Sequence, residues 1–85
     1  MKKKFQVASD LANVKKISRE VLSFLRPLSL SADADFDVRL CLEEALINAM
    51  KYGNALRRDL PVHLEIEASP KELRITVEDQ GPVST

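Results

Sequence analysis

The sequence predicts a two-layer α/β sandwich, in α+β order: a strand, two helices and an antiparallel β-hairpin, with both helices on one face of a small, mostly antiparallel sheet. Three observations predict it. Apolar residues recur at helical spacing twice, from Leu11 to Leu25 and from Val38 to Ala49. Apolar and polar residues then alternate strictly on both sides of Pro70-Lys71-Glu72. The chain has 85 residues, enough for one small domain that buries only about 60–65% of its unfolded surface.

The elements follow in order. Lys3 to Ala8 alternates Phe5 and Val7 against polar neighbours, as a short half-buried strand does. Ser9 and Asp10 are helix-capping types, and they open a run with Leu11, Val14, Ile17, Val21, Leu22 and Leu25 on one side. This helix should stop near Arg26, because Pro27 disfavours helical geometry in the residue before it. Its polar face, Lys15, Lys16, Arg19 and Glu20, suits solvation and could contribute a contact surface. Leu28 to Asp35 reads as a polar connector with several possible caps.

The central helix occupies Asp37 to Asn54 and should close around Tyr52, with Gly53 and Asn54 able to take the left-handed backbone of a last turn. Ala55 to Pro61 forms a charged loop. In the hairpin, Val62, Leu64, Ile66, Leu73, Ile75 and Val77 point towards the helices, while His63, Glu65, Glu67, Arg74, Thr76 and Glu78 face water.

Composition excludes several functions. Thirteen basic and thirteen acidic residues cancel, so no global field steers the chain to nucleic acid or to an anionic membrane. The local run Lys2 to Lys4 suits a solvated start of chain. One cysteine, Cys41, and one histidine, His63, supply neither an internal disulfide nor a metal-binding cluster. A reducing compartment follows, and with no apolar run near the ~20 residues of a membrane span the expectation is a cytoplasmic protein.

The central helix carries polar groups in an ordered way. At about 100° per residue, Val38, Leu42, Ala45, Leu46 and Ala49 share one side, while Asp37, Cys41, Glu44, Asn48 and Lys51 share the other. One face packs and the other is available for chemistry. Glu44 and Asn48 are one turn apart, so a carboxylate and a neutral amide oxygen can address one small object. A plain solvated face is equally allowed by that spacing. The last strand runs into Val77-Glu78-Asp79-Gln80-Gly81-Pro82, which presents a carboxylate at a sheet edge beside a glycine that permits close approach. Alone, such an Asp-x-Gly marks a turn.

Taken together, these segments resemble a family. Glu44-Ala45-Leu46-Ile47-Asn48-Ala49, continuing through Tyr52-Gly53-Asn54, is similar to the asparagine box of the Bergerat-fold (GHKL, histidine-kinase-like) ATPases, which include type II topoisomerases, histidine kinases and mismatch-repair ATPases. Asp79-Gln80-Gly81 resembles the first glycine box of the same group. The element order, with Leu-Glu-Glu-Ala-Leu-Ile-Asn-Ala in the second helix, is most similar to the anti-sigma-factor serine kinases.

The resemblance implies ATP and Mg2+ as ligands and a protein serine/threonine kinase activity. It implies that Asn48 holds the magnesium ion bridging the phosphates, a hard oxygen ligand of the kind that ion prefers. Glu44 would be the general base that orients a partner's serine hydroxyl or a water towards the terminal phosphate. Asp79 would accept a hydrogen bond from the adenine amino group, and Gly81 would let the base lie close to the backbone. Lys51 could reach a phosphate or remain solvated. Tyr52 stands where many relatives have histidine.

In relatives the first glycine box continues, whereas here Val83-Ser84-Thr85 follows Pro82. The expectation is one domain, residues 1–85, corresponding to the N-terminal part of the ATPase domain without its lid and second glycine box. A site without those elements should bind nucleotide weakly and be inactive alone. By resemblance the partners are a sigma factor and a small antagonist protein, and the chain should form a homodimer or self-associate through an uncovered sheet edge. The alternative is a non-enzymatic protein-binding regulatory module that has lost productive nucleotide binding.

Overall fold

The structure, a computed structural model, describes residues 1–80. Five elements follow in the expected order: β1 (Lys2–Ala8), α1 (Ala12–Phe24), α2 (Ala32–Asn48), β2 (Pro61–Ala68) and β3 (Leu73–Glu78). The sheet order is β1-β2-β3, and both pairings are antiparallel. Pairing Leu64 with Phe5 and Val77, and Ile66 with Ile75, aligns the apolar residues in rows on one face. A slip of one residue would turn every row to solvent, so the alternation itself sets the register.

That face and the two helices enclose one core: Val7, Val14, Ile17, Val21, Leu25, Leu42, Leu46, Ala49, Met50, Val62, Leu64, Ile66 and Ala68. The central strand β2 contributes fully buried side chains. Leu73, Ile75 and Val77 of β3 pack against the core but are only half-buried. An edge strand has a neighbour on one side only, so its apolar row is covered less completely.

On the opposite face, Lys2 reaches Glu65 at 3.2 Å and Glu67 at 3.8 Å. The hydrogen bond and charge of Glu65, then the charge of Glu67, raise its pKa above the ordinary lysine value. Lys3 turns the other way, with its ammonium 5.2 Å from the Phe5 ring centroid and 5.9 Å from that of Phe24. Two of the three basic residues at the start of the chain therefore have internal partners.

The helix boundaries differ from the sequence expectation in physically informative ways. Asp10 caps the approach to α1, its Oδ1 accepting from the Ala12 N–H at 3.0 Å. Ser9, the other candidate cap, is buried instead and its hydroxyl donates to the Leu60 carbonyl. Leu11, expected on the apolar face, is exposed. After α1 a short 3-10 turn at Arg26–Leu28 carries the chain past Pro27.

Helix α2 begins at Ala32, earlier than Asp37, so half of the expected connector is helix. The Ser31 hydroxyl accepts from the Ala34 N–H at 3.1 Å, and Asp33 and Asp35 complement the positive end of the helix. Several residues from Leu28 onward were chemically competent to cap, and Ser31 is the one that does.

The end of the helix departs furthest from expectation. A wider π turn, Ala49–Gly53, continues from α2, and the Asn54 N–H bonds to the Ala49 carbonyl at 2.8 Å. The wider turn changes the phase of the helix, which lets the sequential residues Ala49 and Met50 both enter the core. Gly53 and Asn54 do not take the left-handed backbone; Ala55 and Leu56 do, with φ of 51° and 56°. Asn54 is tethered by its side chain, so the chain reverses one residue later. The cost for a residue with a Cβ is about 1–2 kcal/mol each.

The hairpin closes around Pro70 and Lys71 as expected. The Ser69 N–H donates to the Glu72 carbonyl at 2.8 Å, and the Ser69 hydroxyl accepts from the Glu72 N–H at 3.1 Å. Among the described residues, no helix is long and apolar enough to cross a membrane.

Candidate functional site

The polar face of α2 survives folding intact. Asp37, Cys41, Glu44, Asn48 and Lys51 are all exposed, while Leu42 and Leu46 on the other side have no exposed surface. The helix is held to the sheet by that apolar side, which leaves Glu44 and Asn48 facing outward one turn apart near its C-terminal end. Glu44 is then an accepting carboxylate, and Asn48 offers an amide oxygen and an amide N–H2 to the same approaching group. Lys51 lies in the π turn with its ammonium 5.7 Å from the ring centroid of its neighbour Tyr52, itself 78% exposed. That contact occupies the cation with an aromatic face.

The π turn then meets the end of β3. Asp79, one residue beyond that strand, lies against Gly53 so closely that a Cβ at position 53 would come within 2.7 Å of the Asp79 Cβ and closer still to its carboxylate. Next to this contact, Asn54 is completely buried. Its Nδ2 donates to the Ser9 hydroxyl at 2.9 Å, to the Leu60 carbonyl at 2.9 Å and to the Pro61 carbonyl at 3.2 Å. Its Oδ1 accepts from the Gln80 N–H at 2.7 Å. One side chain thus joins the end of β1, the start of β2 and the residue after Asp79 to the end of the helix.

A family model for the histidine kinase-like ATPase domain matches residues 7–85. The chain belongs to that family. No curated protein matches it. Membership in a histidine kinase-like ATPase family makes the chain an ATP-binding domain. The segment from Glu44 to Asn54 and the residues Asp79 and Gln80, quoted for the resemblance, meet at the Gly53–Asp79 contact and the Asn54–Gln80 hydrogen bond.

The donor set can be compared with the metal this ATPase fold implies. Among the described residues, no group of three or more His, Cys, Asp and Glu side chains is gathered so that it could hold a metal ion. Asn48 instead offers one exposed, neutral, hard oxygen. That suits a magnesium ion that keeps waters and takes its remaining ligands from phosphate oxygens.

Of the expected site residues, Glu44, Asn48 and Lys51 are exposed, and Asp79 lies against Gly53 at the end of the π turn. Gly81 lies outside the described residues. In the sequence, Gly53 and Asn54 read as a helix stop and as the tail of the asparagine-box resemblance, with neither given a role in building the site. The signal was their position directly after the motif helix, but only the fold shows that Asn54 turns inward and reaches across to Gln80.

Proposed function

We propose that this ATPase-family chain is the nucleotide-binding part of a protein serine/threonine kinase of the anti-sigma-factor type. In this reading it phosphorylates a serine of an antagonist protein and regulates a sigma factor, both acting as binding partners. The observation that carries the proposal is the outward pairing of Glu44 and Asn48 at the end of α2, adjoining the Gly53 contact with Asp79.

Each residue has a chemical task. The Asn48 amide oxygen holds the cation that accompanies the triphosphate, and magnesium supplies charge neutralisation of the phosphates when bound. Glu44 accepts the proton of the partner's serine hydroxyl as its oxygen forms a bond to the terminal phosphorus and the bond to the leaving ADP oxygen breaks. The Asp79 carboxylate accepts from the adenine amino group, a discrimination against guanine, which presents a carbonyl there. Gly81 leaves space for the base, and Lys51 is free to exchange the Tyr52 ring for a phosphate.

Titration with magnesium-ATP, and transfer assays, on a version of the protein that includes the lid test the proposal. Asn48→Ala should abolish magnesium-dependent binding, because it removes the one protein oxygen offered to the cation. Glu44→Ala should retain binding and slow phosphate transfer to the antagonist's serine by roughly 10²–10⁴-fold, the usual scale for a positioned general base. Equal affinity for magnesium-ATP in the parent and in Asn48→Ala would show that the polar face of α2 is merely solvated.

A second reading, a protein-binding regulatory module without productive nucleotide binding, is favoured by Phe36 and Leu40. Both are exposed, at 52% and 46%, one turn apart on α2.

A further inference from the structure

We propose that Gly53 and Asn54 are positioning residues that hold the Asp79 carboxylate in place for the nucleotide base, making the end of α2 and the end of β3 one recognition unit. The inference rests on the reading of Asp79 as the acceptor for adenine.

Gly53 and Asn54 each act on Asp79 through a separate contact. The first is steric. A Cβ at position 53 would stand 2.7 Å from the Asp79 Cβ, nearer than unbonded carbons approach each other. The Asp79 Cβ is attached to the main chain, so no change of rotamer clears it, and the backbone at Asp79 would have to move. Gly53 has no positive φ, which means the glycine serves space and not conformation.

The second contact is a hydrogen bond. The Gln80 N–H belongs to the peptide plane that follows Asp79, and it donates to Asn54 Oδ1 at 2.7 Å. Asn54 cannot turn away, because its amide nitrogen is held at 2.9 Å by both Ser9 and Leu60 in the interior. The side chain of Asp79, an exposed residue, is backed by Gly53, and its following peptide is pinned by Asn54. Asn48 sits at the head of the same π turn, so the cation-binding amide and the base-reading carboxylate share one rigid connection.

A double-mutant cycle on the full chain tests this, using Gly53→Ala, Asp79→Gly and their combination, with Asp79→Asn as a reference. Binding of magnesium-ATP and magnesium-GTP is measured for each protein, and urea unfolding is followed alongside. Gly53→Ala should reduce the preference for ATP over GTP about tenfold, the equivalent of ~1.4 kcal/mol. In the Asp79→Gly background the same substitution should leave nucleotide preference unchanged and should not destabilise the fold, since the colliding atoms are gone. A purely structural glycine would instead weaken both nucleotides equally in both backgrounds.

An unchanged ATP preference in Gly53→Ala, beside a lost one in Asp79→Asn, overturns this inference and leaves the reading of Asp79 standing. An unchanged preference in Asp79→Asn removes that reading and this inference with it. If Gly53→Ala does not fold, the double variant decides: stability no lower than that of Asp79→Gly supports the contact, and failure to fold in both overturns it.

Discussion

Replacing Asn54 with alanine removes four hydrogen bonds from a side chain with no exposed surface. The groups left behind are not equally penalised. The Ser9 hydroxyl and the Leu60 carbonyl still bond to each other, and Gln80 is exposed enough for water to replace the lost acceptor. The Pro61 carbonyl loses its longest and weakest contact, at 3.2 Å. Counting about 0.5–1.5 kcal/mol for each of the four lost bonds gives a destabilisation of about 2–6 kcal/mol, to which the small cavity adds. A domain of this size holds only about 4–13 kcal/mol in total.

Urea unfolding followed by circular dichroism measures the loss as a fall in midpoint at constant slope. Asn54→Asp sharpens the test. It preserves the acceptor for Gln80 but aims a buried carboxylate at two carbonyl oxygens, which raises the folded-state pKa of the introduced group. Its stability should therefore be lowest at neutral pH and recover as the pH falls below that raised pKa. An Asn54→Ala protein within 0.5 kcal/mol of the parent, or an Asn54→Asp protein whose deficit is independent of pH, would refute the role of this side chain as a buried hub.

Three further outcomes are expected. Leu46→Ala, at a position with no exposed surface between α2 and the sheet, should cost about 2–5 kcal/mol by the same urea assay, whereas a cost below 1 kcal/mol would contradict its place in the core. Ala55→Gly should stabilise the chain by about 0.5–1 kcal/mol, because relief of left-handed strain outweighs the entropy of glycine; a loss of stability would argue against the φ of 51°. Asp59 accepts a hydrogen bond from Arg57, which lowers its pKa below the ordinary carboxylate value. Its small contribution is present above the unfolded pKa and is lost as pH falls through the lowered folded one, so Arg57→Ala should move the NMR titration midpoint of Asp59 upward.

Much of this protein was legible in its sequence because two short-range signals agree. The alternation from Val62 to Val77 dictates a hairpin with one apolar face, and the helical spacing of Leu42, Leu46 and Ala49 dictates which side of α2 meets it. Packing that side leaves Glu44 and Asn48 outward, so the chemistry of the exposed face follows from the same periodicity. The terminus of α2 was not legible, because several residues could cap its start and because a π turn differs from an α turn by a phase that local composition does not encode.

By itself, then, the sequence determined the order of the elements, the face each one buries and the pair of polar residues that α2 leaves exposed. Those properties depend on residues one turn or two positions apart. Only the tertiary structure decided that Asn54 turns inward, that Ala55 and Leu56 carry the reversal and that Gly53 backs Asp79. Asn54 and Gln80 are separated by 26 positions, and their contact exists only once β3 has paired with β2 beside the end of the helix.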